Sequence, residues 1–247
     1  MALAGTGRLQ SVFLFGVSGP VAAAIALTQS RGGFICLLVL SILALRPSRR
    51  NILIVLGSVP VLGLLLAPLV PAEFTLRVMA AFSDVKALVS GYGNVLDTAI
   101  AGRVSEMLAA WHVFLERPWL GSGYATFESL YQDTARRYDL MARGADRQAH
   151  NLYLEILAET GLAGLLAYAS MIAFAIFSAL AAARRLAHVE RPLESAAAGG
   201  LALSILGCLL SSVFLLEAFQ WYLWMMVALA VAAPAMHRGL ATAHAEN

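Results

Sequence analysis

The residues best suited to chemistry fall in a polar stretch from Arg103 to Gly164, which lies between two apolar blocks and contains His150-Asn151-Leu152-Tyr153. An imidazole changes charge near neutral pH, so His150 can take up or give a proton under ordinary conditions. It stands just before a long apolar run. An ionisable group at that depth is costly unless partnered, and a functional role is the default there. The alternative is an interfacial histidine bonded to a backbone carbonyl. Asn151 can cap the helix that follows. Glu155 and Glu159 are four apart and share a face of that helix where it enters the apolar run.

Two arginines are candidates for holding an anion, because a guanidinium forks onto phosphate oxygens in a bidentate way. Arg31 sits in Thr28-Gln29-Ser30-Arg31-Gly32-Gly33, a tight turn between two apolar runs. It is either an arginine snorkelling to an interface or a cation that binds a lipid-linked phosphate. Arg103 stands in the first turn of an amphipathic helix over Ala101–Arg117, with Glu106 three residues on, a spacing that permits a local ion pair. Otherwise it is an ordinary surface arginine.

The elements that must position these groups follow from composition. The chain has 247 residues, 60% of them hydrophobic and 13% charged, with mean hydropathy +0.76. Soluble domains carry about 25% charged residues, so this is an integral membrane protein. Charge-free apolar runs at Val12–Thr28, Gly32–Leu45, Asn51–Val70, Gly161–Ala183, Ala196–Leu216 and Ala218–His237 make six candidate spans, the second of them short. They must be helices, because open backbone cannot cross lipid unsatisfied. The predicted architecture is all-α: residues 1–70 hold three transmembrane helices, 71–160 a large loop with amphipathic helices, 161–238 three more, and 239–247 a cytoplasmic tail.

Arg8, Arg46, Arg49, Arg50, Arg184, Arg185, Arg191 and Arg238 fall on one side if the spans alternate, and that side is cytoplasmic by the positive-inside rule. The Arg31 turn and the 71–160 loop then share the external face. The early apolar run is read as the first span rather than a cleavable signal, since further spans follow at once. Within the loop, Val104, Met107, Leu108, Trp111 and Leu115 mark one apolar face. Pro118 stops that helix and opens the turn Pro118-Trp119-Leu120-Gly121-Ser122-Gly123-Tyr124. Trp119 and Tyr124 either stack on a sugar or belong to the interfacial aromatic belt. A second amphipathic helix is expected over Thr126–Gly144, with Arg136 and Arg137 forming a basic patch. Gly161 and Gly164 would let a neighbouring helix pack closely. Cys36 and Cys208 both lie in spans, so neither a disulfide framework nor a metal site is indicated. A net charge of +2 gives no reason to expect nucleic acid.

The ordered set Thr28-x-Ser30-Arg31-Gly32-Gly33, Gly102-Arg103, Trp111, Pro118-x-x-Gly121-x-Gly123, His150-Asn151-x-Tyr153-Leu154, Glu159-x-Gly161 and Gly164 resembles the O-antigen ligase and polymerase superfamily. The likeness runs from about Leu27 to Leu180. It implies a GT-C-type glycosyltransferase at the periplasmic face of the bacterial inner membrane, with no cofactor or metal. The donor would be a glycan on undecaprenyl pyrophosphate, and the acceptor a lipid A-core or growing glycan hydroxyl. The resemblance assigns Arg31 and Arg103 to the donor pyrophosphate and His150 to activation of the acceptor, with Asn151, Tyr153, Glu155 and Glu159 as possible supporting residues. Family members usually carry more spans, so the chain looks like the C-terminal portion of such an enzyme.

Rival functions within the class are an O-antigen or exopolysaccharide polymerase and a protein O-oligosaccharyltransferase. A transporter is disfavoured, because the six runs hold no Asp, Glu, Lys or Arg. An inactive fragment or non-catalytic membrane subunit is the alternative of another class.

Overall fold

A computed structural model describes residues 31–44, 98–142, 144, 147–213 and 221–245. Among these residues all regular structure is helical: α1 (Arg31–Ala44), α2 (Thr98–Glu116), α3 (Phe127–Arg137), α4 (Leu152–His188), α5 (Pro192–Ser211) and α6 (Trp221–Ala245). The predicted spans Val12–Thr28 and Asn51–Val70 lie outside the described residues, as do residues 73–97. Helices α4 and α5 are long and apolar enough to cross a membrane, and the Trp221–Ala235 part of α6 is a shorter apolar helix. Of the six predicted spans, these are the ones the described residues support at that length.

The chain divides into two compact units. One contains α1, the part of α4 from Ala169 onward, α5 and α6. Its interior is built from small side chains: Ala182, Ala198 and Ala233 pack with Leu186. Small residues let helix backbones approach closely where there is no hydrophobic drive between helices in lipid. Gly207 serves this on α5, since a Cβ there would meet the Leu40 side chain of α1. Outward, α4 and α6 present Phe174, Phe177, Met225 and Leu229. Apolar surface on that scale suits a lipid solvent.

The other unit holds α2, α3, the start of α4 and residues 212–213. Its core is Ala109, Ala110, Val113, Phe127, Tyr131, Ala135, Ala149 and Ala158. The buried stripe of α2 is therefore Gly102, Ser105, Glu106, Ala109, Ala110, Val113 and Phe114, at helical spacing of three and four, and all but Phe114 at the end are small or of middle size. This corrects the apolar face read from sequence: Leu108, Trp111 and Leu115 are exposed, Leu115 by 53%. The physical reason is size. The α3 rings of Phe127 and Tyr131, four residues apart and 6.2 Å between centroids, fill the interior, so the facing α2 surface must be small.

The expected second helix, Thr126–Gly144, ends early, at Arg137. Asp139 adopts φ +53, and the Leu140 N–H reaches back to the Ala135 carbonyl at 2.8 Å, closing the helix as a left-handed C-terminal cap does. Met141 then accepts bonds from the Tyr131 hydroxyl (2.7 Å) and the Ser105 hydroxyl (3.2 Å), which ties the strap after α3 to both helices.

Helix α4 is kinked at Gly161, where φ is +66 and ψ −164. The Pro118–Gly123 turn docks at this kink. The Leu162 and Ala163 N–H groups donate to the carbonyls of Pro118 and Trp119, at 2.9 and 3.2 Å. In return Ser122 and Gly123 donate to Ala158 and Glu159, each at 2.9 Å. The backbone groups that the kink frees are thus satisfied by the turn. Among the described residues, Gly161 and Gly164 do not act as the predicted seam for a neighbouring helix. A Cβ on Gly161 would collide with the Trp119 and Leu120 backbone, and the space over Gly164 is taken by the side chain of Thr160.

Candidate functional site

His150 sits on the connection between α3 and α4 with φ +49, a left-handed conformation that non-glycine residues seldom adopt. The chain around it is fastened at several points. Asn151 caps α4: its Oδ1 accepts from the Leu154 N–H at 3.1 Å, and its Nδ2 donates to the Val213 carbonyl at 3.1 Å. The Leu152 N–H donates to the Ser212 carbonyl at 3.0 Å. Just upstream, the Ala149 N–H donates to Glu155 Oε2 at 2.9 Å. A strained residue persists only where its surroundings over-determine it, and such residues cluster at functional sites.

The two acids four apart are both buried, and each holds backbone. Glu155 anchors Ala149, immediately before His150. Glu159 accepts the Ala125 N–H at Oε2 (3.0 Å) and the Phe127 N–H at Oε1 (3.1 Å), so its carboxylate closes the N-terminus of α3. Ser122 Oγ adds a bond of 3.0 Å to the Ala158 carbonyl and one of 2.7 Å with Thr126 Oγ1. These contacts make Glu155 and Glu159 supports of the local frame.

The histidine ring is half-buried, its side chain 32% exposed, and its Nε2 lies 3.6 Å from Glu106 Oε2. Arg147 Nε lies 3.6 Å from the other oxygen, Glu106 Oε1. Glu106 has none of its surface exposed. This overturns the expected local pair with Arg103: among the described residues the basic groups facing Glu106 are Arg147 and His150, the latter charged only when protonated, both from the approach to α4, because the carboxylate points inward while Arg103 is exposed on the same helix. Sequence reasoning passed over Glu106 as a candidate. Its place within the small-residue stripe of α2, rather than among exposed polar positions, is the signal that would have found it.

Arg103 stands one helical turn before Glu106, near that end of α2. Arg31 is the first residue of α1 and belongs to the other unit. Tyr153 lies in the first turn of α4, half-buried. Trp119 and Tyr124, beside the glycine turn, are exposed, Trp119 by 72%. Cys36 and Cys208 are not joined in a disulfide.

Among the described residues, the architecture is an all-helical membrane protein in which a histidine and a buried carboxylate stand at the entry of a long apolar helix. The family model described as O-antigen ligase matches residues 16–169, well over half of the chain, and the chain belongs to that family. Its members are glycosyltransferase-like membrane enzymes that act on lipid-linked glycans and polysaccharides. No curated protein matches the chain.

Proposed function

We propose that the chain is an O-antigen ligase-type glycosyltransferase that moves a glycan from undecaprenyl pyrophosphate to an acceptor hydroxyl at the periplasmic face of the inner membrane. The observation that carries this reading is the His150 turn, with a half-exposed imidazole held in a left-handed conformation on a chain that belongs to the family. In this reading residues 1–70 and 161–238 each contribute three spans, 71–160 form the periplasmic loop and 239–247 lie in the cytoplasm. The loop's helical frame supports that division.

The chemistry is one displacement. The acceptor oxygen attacks the anomeric carbon of the donor glycan, forming the new glycosidic bond, and the bond from that carbon to the pyrophosphate oxygen breaks. His150 takes the hydroxyl proton as general base. Arg31 and Arg103 stabilise the negative charge that builds on the departing pyrophosphate. Guanidinium groups supply this charge without a metal. Asn151, Glu155 and Glu159 fix the backbone that carries His150, and Tyr153 stands in the first turn of the same helix.

The test is transfer of a lipid-linked glycan by membranes containing Arg31→Lys or Arg103→Lys protein. Lysine keeps the charge and loses the fork, so each variant should transfer at least ~10-fold more slowly. Wild-type rates in both would remove the arginines from the donor site. Analysis of the product separates a ligase, which caps lipid A-core, from a polymerase, which lengthens the glycan, and from a protein O-oligosaccharyltransferase.

A further inference from the structure

Glu106 is the described residue whose placement the reaction above leaves unexplained. It is fully buried on α2, and neither carboxylate oxygen has a hydrogen-bond partner among the described residues. A buried carboxylate is costly unless charges or donors face it. Two basic groups face this one, and they divide it: the Arg147 guanidinium approaches Oε1 through Nε and the His150 imidazole approaches Oε2 through Nε2, both at 3.6 Å. That distance is an ion-pair contact and too long for a hydrogen bond. Contacts of this kind in an unliganded site often tighten when substrate binds.

We infer that Glu106 is the positioning residue of His150, with Arg147 as the counter-charge that sets its strength; the inference rests on His150 being the base. Facing Nε2, the carboxylate fixes the orientation of the ring. It also stabilises the imidazolium that forms as the acceptor hydroxyl gives up its proton. An anion beside an imidazole favours the protonated form and raises its pKa, and a cation on the far oxygen weakens that effect. Among the described residues the other titratable groups near the turn are Glu155, engaged by the Ala149 N–H and pushed up by burial to about 7, and Glu128 of α3, engaged by the Gln148 side chain at 3.0 Å. All the variants below leave both unchanged. A purely structural Glu106 would neutralise Arg147 and leave the titration of His150 unmoved.

The experiment measures initial rates of transfer from a lipid-linked glycan donor by the full chain in membranes, between about pH 5 and 9, for wild type, Glu106→Gln, Arg147→Gln and His150→Ala. Glu106→Gln should lower kcat about 10- to 100-fold with KM for the donor unchanged. It should also move the acid limb of kcat/KM to lower pH, because the imidazole loses the anion that raised its pKa. Arg147→Gln should move that limb the other way, to higher pH, because Glu106 then acts on His150 unopposed. Should Glu106→Gln fail to insert, the direction seen in Arg147→Gln decides alone, and an unmoved or lowered limb overturns the proposal. Inactive His150→Ala with wild-type kcat and acid limb in Glu106→Gln also overturns it, leaving His150 as the base. Full transfer by His150→Ala would instead remove the reading beneath it.

Discussion

Gly121 and Gly161 interlock. Gly121, at φ +71, leaves no room for a Cβ against the Glu159 and Thr160 backbone, and Gly161, at φ +66, leaves none against Trp119 and Leu120. Each glycine thus makes space for the chain beside the other. This pairing brings the turn after α2 onto the kink of α4 and, through Glu159, sets the start of α3.

Alanine at either glycine should destabilise the loop unit by at least about 2 kcal/mol, since a left-handed alanine alone costs about 1–2 and overpacking adds more. Thermal unfolding of the purified chain in detergent would show it as a lower Tm. Gly144, also at positive φ (+36) but with nothing within reach of a Cβ, is the control, and alanine there should cost the conformational part alone, about 1–2 kcal/mol. Equal Tm values for all three variants would refute the interlock.

Glu159→Gln keeps the shape of the side chain and removes the charge that meets the N-terminus of α3. The loss should be about 1–2 kcal/mol, and Glu159→Ala should lose more, because the Ala125 and Phe127 N–H groups are then left unsatisfied. Unfolding in denaturant would rank the two. An Ala variant as stable as wild type would show that the carboxylate does not hold the helix.

Truncation on the outward face of α2 should cost far less than truncation in the core that its inner face covers. Leu115→Ala removes a half-exposed side chain and should change stability by no more than about 0.5 kcal/mol. Phe127→Ala, on α3 in the fully buried core, should cost about 3–5 kcal/mol. A large effect of Leu115→Ala in detergent would mean that the outward face is packed.

Asn151→Ala should cost about 1 kcal/mol through loss of the α4 cap. It should also lower transfer more than it lowers stability, because the same side chain ties the His150 turn to Val213. Asn151→Asp keeps the cap and gives up the bond to Val213, so it separates the two effects. If both variants transfer at the wild-type rate, the turn needs no clamp.

Removal of divalent ions with EDTA should leave transfer unchanged, as expected where guanidinium groups stabilise the leaving group. Loss of activity that returns with added magnesium would contradict the metal-free displacement.

Much of the loop was legible because its signals are local. Pro118 stops a helix, Asn151 caps one, and His150 precedes an apolar run, all within a few residues. The end of α2 followed from Pro118, whereas its start, read at Ala101, lies earlier, at Thr98. What was missed depends on contacts between distant segments. Hydrophobic periodicity chose the face of Leu108, Trp111 and Leu115, whereas the interior is set by the rings of Phe127 and Tyr131, which need small neighbours. Glu106 suggested only a local pair with Arg103, because nothing near it in sequence shows that Arg147 and His150 fold back onto it. Gly161 and Gly164 suggested a helix seam because the turn that fills the kink comes from Trp119 and Leu120. Glu155 and Glu159 share a face as their spacing required, yet their backbone partners include Ala125 and Phe127, far back in the chain.

The most direct measurement is glycan transfer in membranes from a strain deleted for its own ligase, comparing wild type with His150→Ala at equal amounts of inserted protein. The account predicts transfer by the wild type and a rate lower by about 10²- to 10⁴-fold in the variant, the contribution of a general base. Equal transfer by the two proteins would contradict it.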